Sequence, residues 1–311
     1  MKVMISGATG AIGMALLREA VKLGYEVGCL VNPDSDRKSK IADFPGIRIY
    51  ECSVDDYSHF NIQEKYDAFV HLAWKKTFGK ARDDMDVQLD NVRYTLDAVR
   101  LADRLNCTYF IGAGSQAEYG VKNEPLSPEM LVAPESGYGI AKYTAGRMSS
   151  ILCDQLNLKH SWIRILSVYG PDDGRNSLIS YVISSLKSGE ILRLTKCEQT
   201  WDYLYSEDCA RAIMSVMESG CKSDYYVLGN GNGKKLYEYV EAIKNIINPH
   251  AEIEYGAIDY YPHQPMFLVA DISRLVGDTG WKPAVDFEDG IRKIVFKEIA
   301  EYGRGKKNIF I

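Results

Sequence analysis

Short apolar runs alternate with amphipathic stretches through the first half of the chain. "KVMIS" (2–6) reads as a strand and runs into a glycine. "AIGMALLREAVKLG" (11–24) follows with apolar residues at helical spacing, and Gly24 stands where a helix C-cap is expected. The rhythm continues with strands over 25–31, 47–53 and 66–74, a helix over 85–106 and a strand over 107–114. A helix over 136–157 and a strand within 158–170 complete it. Strands alternating with helices are joined by right-handed crossovers, which cover both faces of a parallel sheet. The fold class expected is therefore α/β, a doubly wound parallel sheet.

Beyond residue 170 the pattern is mixed. Helical stretches over 178–188, 207–218, 236–247 and 286–302 alternate with short strands such as "ILRL" and "DYLY". Two glycine-rich segments, "GNGNGKK" (229–235) and "GDTGWKP" (277–283), read as turns. No internal repeat or low-complexity linker separates the halves. We expect residues 1–170 to form one domain that receives returning segments from the C-terminal half. Residues 171–311 would form mainly a smaller mixed α/β lobe packed on it.

Composition narrows the partners. The chain has 311 residues, of which 46% are hydrophobic and 25% charged, enough to bury a core without disulfides or a metal. A net charge of −5 gives no electrostatic basis for nucleic acid or an anionic membrane, and the basic cluster "GRGKKN" (303–308) reads as a solvated tail. Seven cysteines, an odd number without C-x-x-C, argue for reduced thiols in a cytoplasmic protein. The five histidines lack metal-ligand spacing, so no metal site is expected. "MKVMISG" has no signal-peptide character, and no run is long enough to span a membrane.

"GATGAIG" places Gly7, Gly10 and Gly13 between the first strand and the first helix. Glycines permit a tight backbone path and close approach to a pyrophosphate, whose charge then meets a helix N-terminus. Thr9, Ala11 and Ile12 belong to the same turn and helix start and are candidate contacts. The second strand ends in "CLVNPDSDRK" (29–38), with Asn32 where an acid would bind the ribose hydroxyls of NAD. Without that acid a 2′-phosphate meets no repulsion, and Arg37 or Lys38 could pair with it, so NADP(H) is favoured over NAD(H).

"YGIAK" puts Tyr138 and Lys142 four residues apart, on one face of a helix. A free phenol, with a pKa of about 10, is too weakly acidic to work as a base at neutral pH, and a nearby ammonium favours its ionised form. Such a pair can move the proton of a sugar hydroxyl while a nicotinamide exchanges hydride. The same pair occurs by chance on many helices; its meaning comes from the glycine turn and from Ser115 at the end of an intervening strand.

In their order, "GATGAIG", "FVHLAW", "DNVRYTLDA", "GSQAEYG", "YGIAK", "IRILSVYGP" and "WDYLYSEDCARAI" resemble the extended short-chain dehydrogenase/reductase family, whose members act mostly on nucleotide sugars. The resemblance covers nearly the whole chain. It implies a Rossmann-like first domain, a nucleotide-sugar substrate and a homodimer. It implies Ser115 as the catalytic hydroxyl, Tyr138 as the acid–base, and Lys142 as the residue that binds ribose and tunes the tyrosine. His71, Leu72 and Ala73 match the stretch lining the cofactor, Ser53 and Val54 the adenine contact. Asn91 matches an asparagine that steadies the strand beneath the nicotinamide. Lys76 lies where some sugar epimerases keep a lysine near cofactor and substrate.

Dehydratases of this family carry Asp and Glu directly after the serine, where this chain has Gln116 and Ala117. Neither can act as a general acid or base, so 4,6-dehydration is disfavoured, and Glu118, one position on, should point elsewhere. Two reactions remain: reduction of a 4-keto(-6-deoxy)hexose and C4 epimerisation with bound NAD. Departures at the substrate positions favour reduction. Ser167 stands where many epimerases have an asparagine, and Trp201 where they have an arginine for the diphosphate. Gln116, Arg193, Tyr261 and His263 are further candidate contacts. A non-catalytic dinucleotide-binding sensor or scaffold is the rival class, opposed by the presence of both Tyr138 and Lys142.

Overall fold

The computed structural model describes residues 1–307 apart from 43, 175–176 and 262–263, and the side chains of 1–297 within that range. His263, a predicted substrate contact, lies outside the described residues. The first half runs β1 (Lys2–Ser6), α1 (Ala11–Lys22), β2 (Glu26–Val31), α2 (Ser39–Ala42), β3 (Ile47–Glu51), β4 (Ala68–His71), α3 (Met85–Arg104), β5 (Tyr109–Ser115), α4 (Gly137–Leu156) and β6 (Lys159–Ile165). The second half runs β7 (Ser167–Tyr169), α5 (Leu178–Ser188), β8 (Leu192–Leu194), β9 (Thr200–Trp201), β10 (Tyr203–Tyr205), α6 (Ser206–Glu218) and β11 (Tyr225–Leu228). It ends with β12 (Lys234–Lys235), α7 (Leu236–Ile247), β13 (Ile253–Tyr255), β14 (Phe267–Leu268), α8 (Ser273–Thr279) and α9 (Phe287–Lys307).

Seven parallel strands form the main sheet, in the order β11-β6-β5-β4-β1-β2-β3. This is a Rossmann-like doubly wound sheet. The chain winds outward from β1 through β2 to β3, then returns to β4 on the other side. That reversal opens a crevice beyond the carboxyl ends of β1 and β4, where open α/β sheets bind ligands. Strand β11 reaches this sheet from the second half of the chain and pairs with β6.

Alternation along the strands divides the core. Val3 and Ile5 face α1 and α6 with Leu16, Leu17, Ile213 and Met214. Met4 points to the opposite face and joins Phe69, Val99, Leu101 and Phe110 beneath α3. All eleven are at most 2% exposed, so truncating a residue such as Phe69 to alanine would cost about 3–5 kcal/mol. A separate cluster of Tyr169, Val182, Tyr205, Tyr239, Ile243 and Phe287 forms the core of the C-terminal segments.

Local signals explain the element ends. Gly24 donates to Val21 at 3.0 Å with φ +72°, closing α1 as expected. Ser136 and Ser177 accept from Gly139 and Ser180 at 3.1 and 3.2 Å, capping α4 and α5. One expectation fails: the first half of "GDTGWKP" is the end of α8, which stops only at Gly280. Its seven residues are too few for periodicity to reveal a helix. The seven cysteines are free and six are buried. Among the described residues, no helix is long and apolar enough to cross a membrane.

Candidate functional site

The turn after β1 is built for close approach. Gly7 has φ +75°, and a Cβ on it would lie 2.8 Å from the amide nitrogen of Ala73. A Cβ on Gly13 would lie 2.3 Å from the Gly7 carbonyl oxygen, so only glycine lets α1 start this close to the turn. No side chain caps α1 at Gly10, and no acid stands in its first turn. The helix therefore presents free amides and the positive end of its dipole, the requirements for binding an anion.

A cavity of about 350 Å³ lies against this turn. It is lined by the candidate cofactor contacts Gly7, Thr9, Gly10, Asn32, Ser53, Val54, Leu72 and Ala73. Ser35, Tyr57, Trp74 and Lys75 line it too, unforeseen from sequence. Ala11, Ile12 and Gly13 form the helix start behind it. The glycine turn, the uncapped helix and this cavity fit a nicotinamide dinucleotide. A larger cavity, about 540 Å³, opens between Arg37, Asp172 and Ile183, but none of Ser115, Tyr138 or Lys142 lines it.

Several predicted cofactor contacts sit elsewhere. Arg37 donates to the carbonyls of Thr9 and Asp172 at 3.4 and 3.3 Å, bracing the glycine turn. Lys38 pairs with Glu51. Neither lines the 350 Å³ cavity. Lys76 is exposed in a left-handed conformation, φ 59°, so its neighbour Lys75 meets the cavity instead. Asn91 acts through backbone: it accepts from Lys75 N and donates to Lys75 O, both at 2.9 Å, fixing the loop after β4. His71 is buried between Ser6 (2.8 Å) and Thr95 (3.4 Å), and burial, aided by the charge of Lys142, pushes its pKa down to about 3.

The sheet and α4 bring Ser115, Tyr138 and Lys142 together. Ser115 ends β5 and caps the next turn, its hydroxyl accepting from Ala117 N at 3.2 Å. Its amide donates to Glu118 Oε1 at 2.8 Å. Glu118 does turn inward: it also accepts from Trp162 Nε1 at 2.9 Å and from Arg164 Nε at 2.7 Å. Both ends of this pair are buried, Glu118 at 0% and Arg164 at 4% exposure.

Lys142 is buried, with Nζ donating to the Ala113 carbonyl at 2.7 Å and lying 3.7 Å from the centre of the Trp74 ring. Burial pushes its pKa down to about 7, against the opposing charge of Glu118. Tyr138 departs from expectation: its pKa is raised. Burial drives it up, while the hydrogen bond of Ser115 and the charge of Arg82 pull it down; Glu118 adds to the rise. The ammonium of Lys142 stands 5.9 Å from the Tyr138 ring, spent on Ala113 and Trp74, so the lysine does not lower the phenol here.

The predicted substrate positions divide. Ser167 and Trp201 meet: the indole Nε1 donates to the serine hydroxyl at 2.8 Å. Gln116 is half-buried one residue beyond Ser115. Arg193 is exposed and paired with Glu254 at 3.0 Å. Tyr261 is 70% exposed and makes no wall of a site.

Sequence reasoning missed Gln88, Trp74 and Arg82. Gln88, 2% exposed, accepts from Trp74 Nε1 at 3.0 Å and donates to the carbonyls of Lys76 and Ala81 at 3.1 and 3.3 Å. It thereby holds the whole loop beside Tyr138. Its position on the buried stripe of α3 was the available signal, since a polar residue there must find partners.

The described geometry has counterparts among known proteins. Residues 3–229 match the model of the NAD dependent epimerase/dehydratase family. CDP-abequose synthase of Salmonella muenchen is 25% identical over 297 residues, covering 94% of this chain and 97% of that protein. The dTDP-4-dehydro-6-deoxyglucose reductase of Escherichia coli is 25% identical over 308 residues, covering 94% and 96%. Among solved structures, UDP-N-acetylglucosamine 4-epimerase from Methanobrevibacter ruminantium superposes with a TM-score of 0.86 at 22% identity, covering 96% of this chain and 98% of that one. With its glycine turn after β1, its doubly wound sheet and a family match over more than two thirds of its length, this chain belongs to the NAD dependent epimerase/dehydratase family.

Proposed function

We propose that the chain is a nicotinamide-dinucleotide-dependent oxidoreductase that reduces the 4-keto group of a nucleotide-linked (6-deoxy)hexose. Supporting the chemistry is the convergence of Ser115, Tyr138 and Lys142 at the carboxyl end of β5, with Trp74 between Lys142 and the cavity at the glycine turn. Bound there, the dinucleotide supplies the hydride. Tyr138 holds the proton that the reduced oxygen needs, and Ser115, which helps to lower the phenol's pKa, can donate to the same sugar oxygen. Lys142 is placed to bind ribose and, once ribose hydroxyls replace its present partners, to act on Tyr138. Trp74 packs edge-on to Tyr138, with ring centres 6.0 Å apart.

The observation that carries reduction over epimerisation is the Trp201–Ser167 bond. It ties two positions of the substrate region into a fixed wall, which suits a sugar held in one orientation rather than one that must turn over. The two relatives with synthase and reductase names agree with this reading. C4 epimerisation with bound NAD is the second reading, favoured by the fold's likeness to a 4-epimerase. The 4,6-dehydration remains disfavoured, because the only carboxylate after Ser115 in that turn is Glu118, and its oxygens are committed to Ser115, Trp162 and Arg164.

NADP(H) is the proposed cofactor because Asn32 replaces an acid at the end of β2. Arg37 and Lys38 would have to leave Thr9, Asp172 and Glu51 to reach a 2′-phosphate. We further propose the division into a dinucleotide-binding domain (1–170 with returning segments) and a substrate lobe (171–311). The exposed Leu89, Ile140, Met148 and Ile151 on α3 and α4 support a homodimer, and the free buried thiols support a cytoplasmic location. The test is stoichiometric. Cofactor-free protein given NADPH and a 4-keto-6-deoxy sugar nucleotide should consume one cofactor per sugar reduced. Protein that carries NAD through purification and interconverts two C4 epimers without net consumption would establish the epimerase instead.

A further inference from the structure

We propose that Arg82 is the positioning cation of Tyr138: its guanidinium lies over the phenol ring and stabilises the negative charge that forms when the tyrosine gives up its proton. The proposal deepens the reading of Tyr138 as the acid–base and rests on it. The guanidinium carbon is 4.6 Å from the centre of the Tyr138 ring, within reach for a cation–π contact. Lys142 is farther, at 5.9 Å, and is held by Ala113 and Trp74.

The charge of Arg82 is uncommitted. Among the described residues no carboxylate pairs with it, and its Nε is buried without a hydrogen-bond partner. A buried donor left open is costly unless the position of the group is needed for something else. A guanidinium also stays charged wherever the protein is folded. The ammonium of Lys142, brought down to about 7, loses charge near neutrality, so the two cations are not equivalent.

The segment carrying Arg82 is fastened to the tyrosine's own helix. Asp83 Oδ1 accepts from Gly137 N at 2.8 Å, one residue before Tyr138. A Cβ on Gly137 would lie 2.9 Å from Met85 Sδ and 3.2 Å from the Arg82 carbonyl, so the glycine permits this approach. Gln88 anchors the other side through Lys76 and Ala81. Among the described residues, the charged groups around Tyr138 are then Arg82 and Asp83 from this segment, Glu118 from the turn after β5 and Lys142 from α4, with the Ser115 hydroxyl at the end of β5. Of these, Ser115 and Arg82 act to lower the phenol's pKa and Glu118 to raise it.

The experiment uses the full chain labelled with fluorotyrosine, the Tyr138 resonance being the one lost in Tyr138→Phe. In cofactor-free protein, Arg82→Gln should raise the Tyr138 titration so that the phenolate fraction at fixed pH falls roughly five- to tenfold. Arg82→Lys, which keeps a charge, should recover most of the shift. The falling, alkaline limb of the turnover–pH profile, where the proton donor is lost, should move with the titration while KM stays nearly constant. A Tyr138 titration unmoved by Arg82→Gln, or moved equally by Arg82→Lys, overturns the proposal. The titration tests Arg82 alone, whereas undiminished turnover in Tyr138→Phe would remove the acid–base reading, so the two failures are distinguishable.

Discussion

Replacing Glu118 by alanine should be among the most damaging single changes in this chain. The carboxylate is fully buried and accepts three hydrogen bonds, from Ser115 N, Trp162 Nε1 and Arg164 Nε. Its removal leaves the charge of Arg164 buried without a counter-ion, a loss of about 3–5 kcal/mol. Two further donors lose their acceptor at about 1–3 kcal/mol each. Part is recovered, because Arg164 keeps its bond to the Tyr119 hydroxyl at 3.0 Å and its packing on the rings of Tyr119 and Tyr225. A net destabilisation of about 4–6 kcal/mol follows, a large fraction of an ordinary protein's stability. Glu118→Gln keeps an acceptor for Ser115 and Trp162 and should lose about half as much. Equilibrium urea unfolding reads both, through the midpoint at constant slope. A Glu118→Ala protein within about 1 kcal/mol of the parent would refute the reasoning, since a buried ion pair this constrained cannot be lost so cheaply.

Three further outcomes are expected. Gly13→Ala should abolish dinucleotide binding, measured by calorimetry, because its Cβ would press on Gly7 O and Ala8 and force the turn open; binding at parental affinity would contradict the phosphate-turn assignment. NADPH should bind more tightly than NADH, and Arg37→Ala should weaken NADPH selectively; an equal loss for both cofactors would assign Arg37 to bracing the turn through Thr9 and Asp172. His71 and His160 are buried, with burial pushing their pKa values down to about 3 and about 4. Below about pH 6.5 the unfolded chain takes up protons that the folded chain refuses, so stability must fall as the pH falls from there toward 4, approaching about 2.7 kcal/mol per pH unit for the pair. Unfolding of His160→Gln between pH 6 and 5 should show about half that slope, and an unchanged slope would mean His160 is not neutral in the fold.

What was legible in the sequence is what depends on short spacings. Gly7, Gly10 and Gly13 lie within one turn, Tyr138 and Lys142 within one helical turn, and the serine at a strand end, so local geometry alone relates them. Side-chain contacts across the fold left no such trace. Glu118 and Arg164 are 46 residues apart, Trp201 and Ser167 are 34 apart, and Gly137 and Asp83 are 54 apart. The charge of Arg37 was legible, yet its direction was not: folding brings the carbonyls of Thr9 and Asp172 to it before any ligand. The partners of Lys142 were hidden for a related reason, since spacing says that two side chains share a face but not that one is held by Ala113 and Trp74. Strand β11 escaped because "YYVL" is four residues long without alternation, and only its pairing with β6 makes it part of the sheet.

The central claim, that Tyr138 moves the proton of a sugar oxygen, is tested most directly by turnover of Tyr138→Phe with cofactor affinity measured on the same preparation. Removing one hydroxyl leaves the packing of the ring beneath Arg82 and beside Trp74 in place. Dinucleotide binding should be unchanged and turnover lower by roughly 10²–10⁴-fold. Turnover within a few-fold of the parent would contradict the claim.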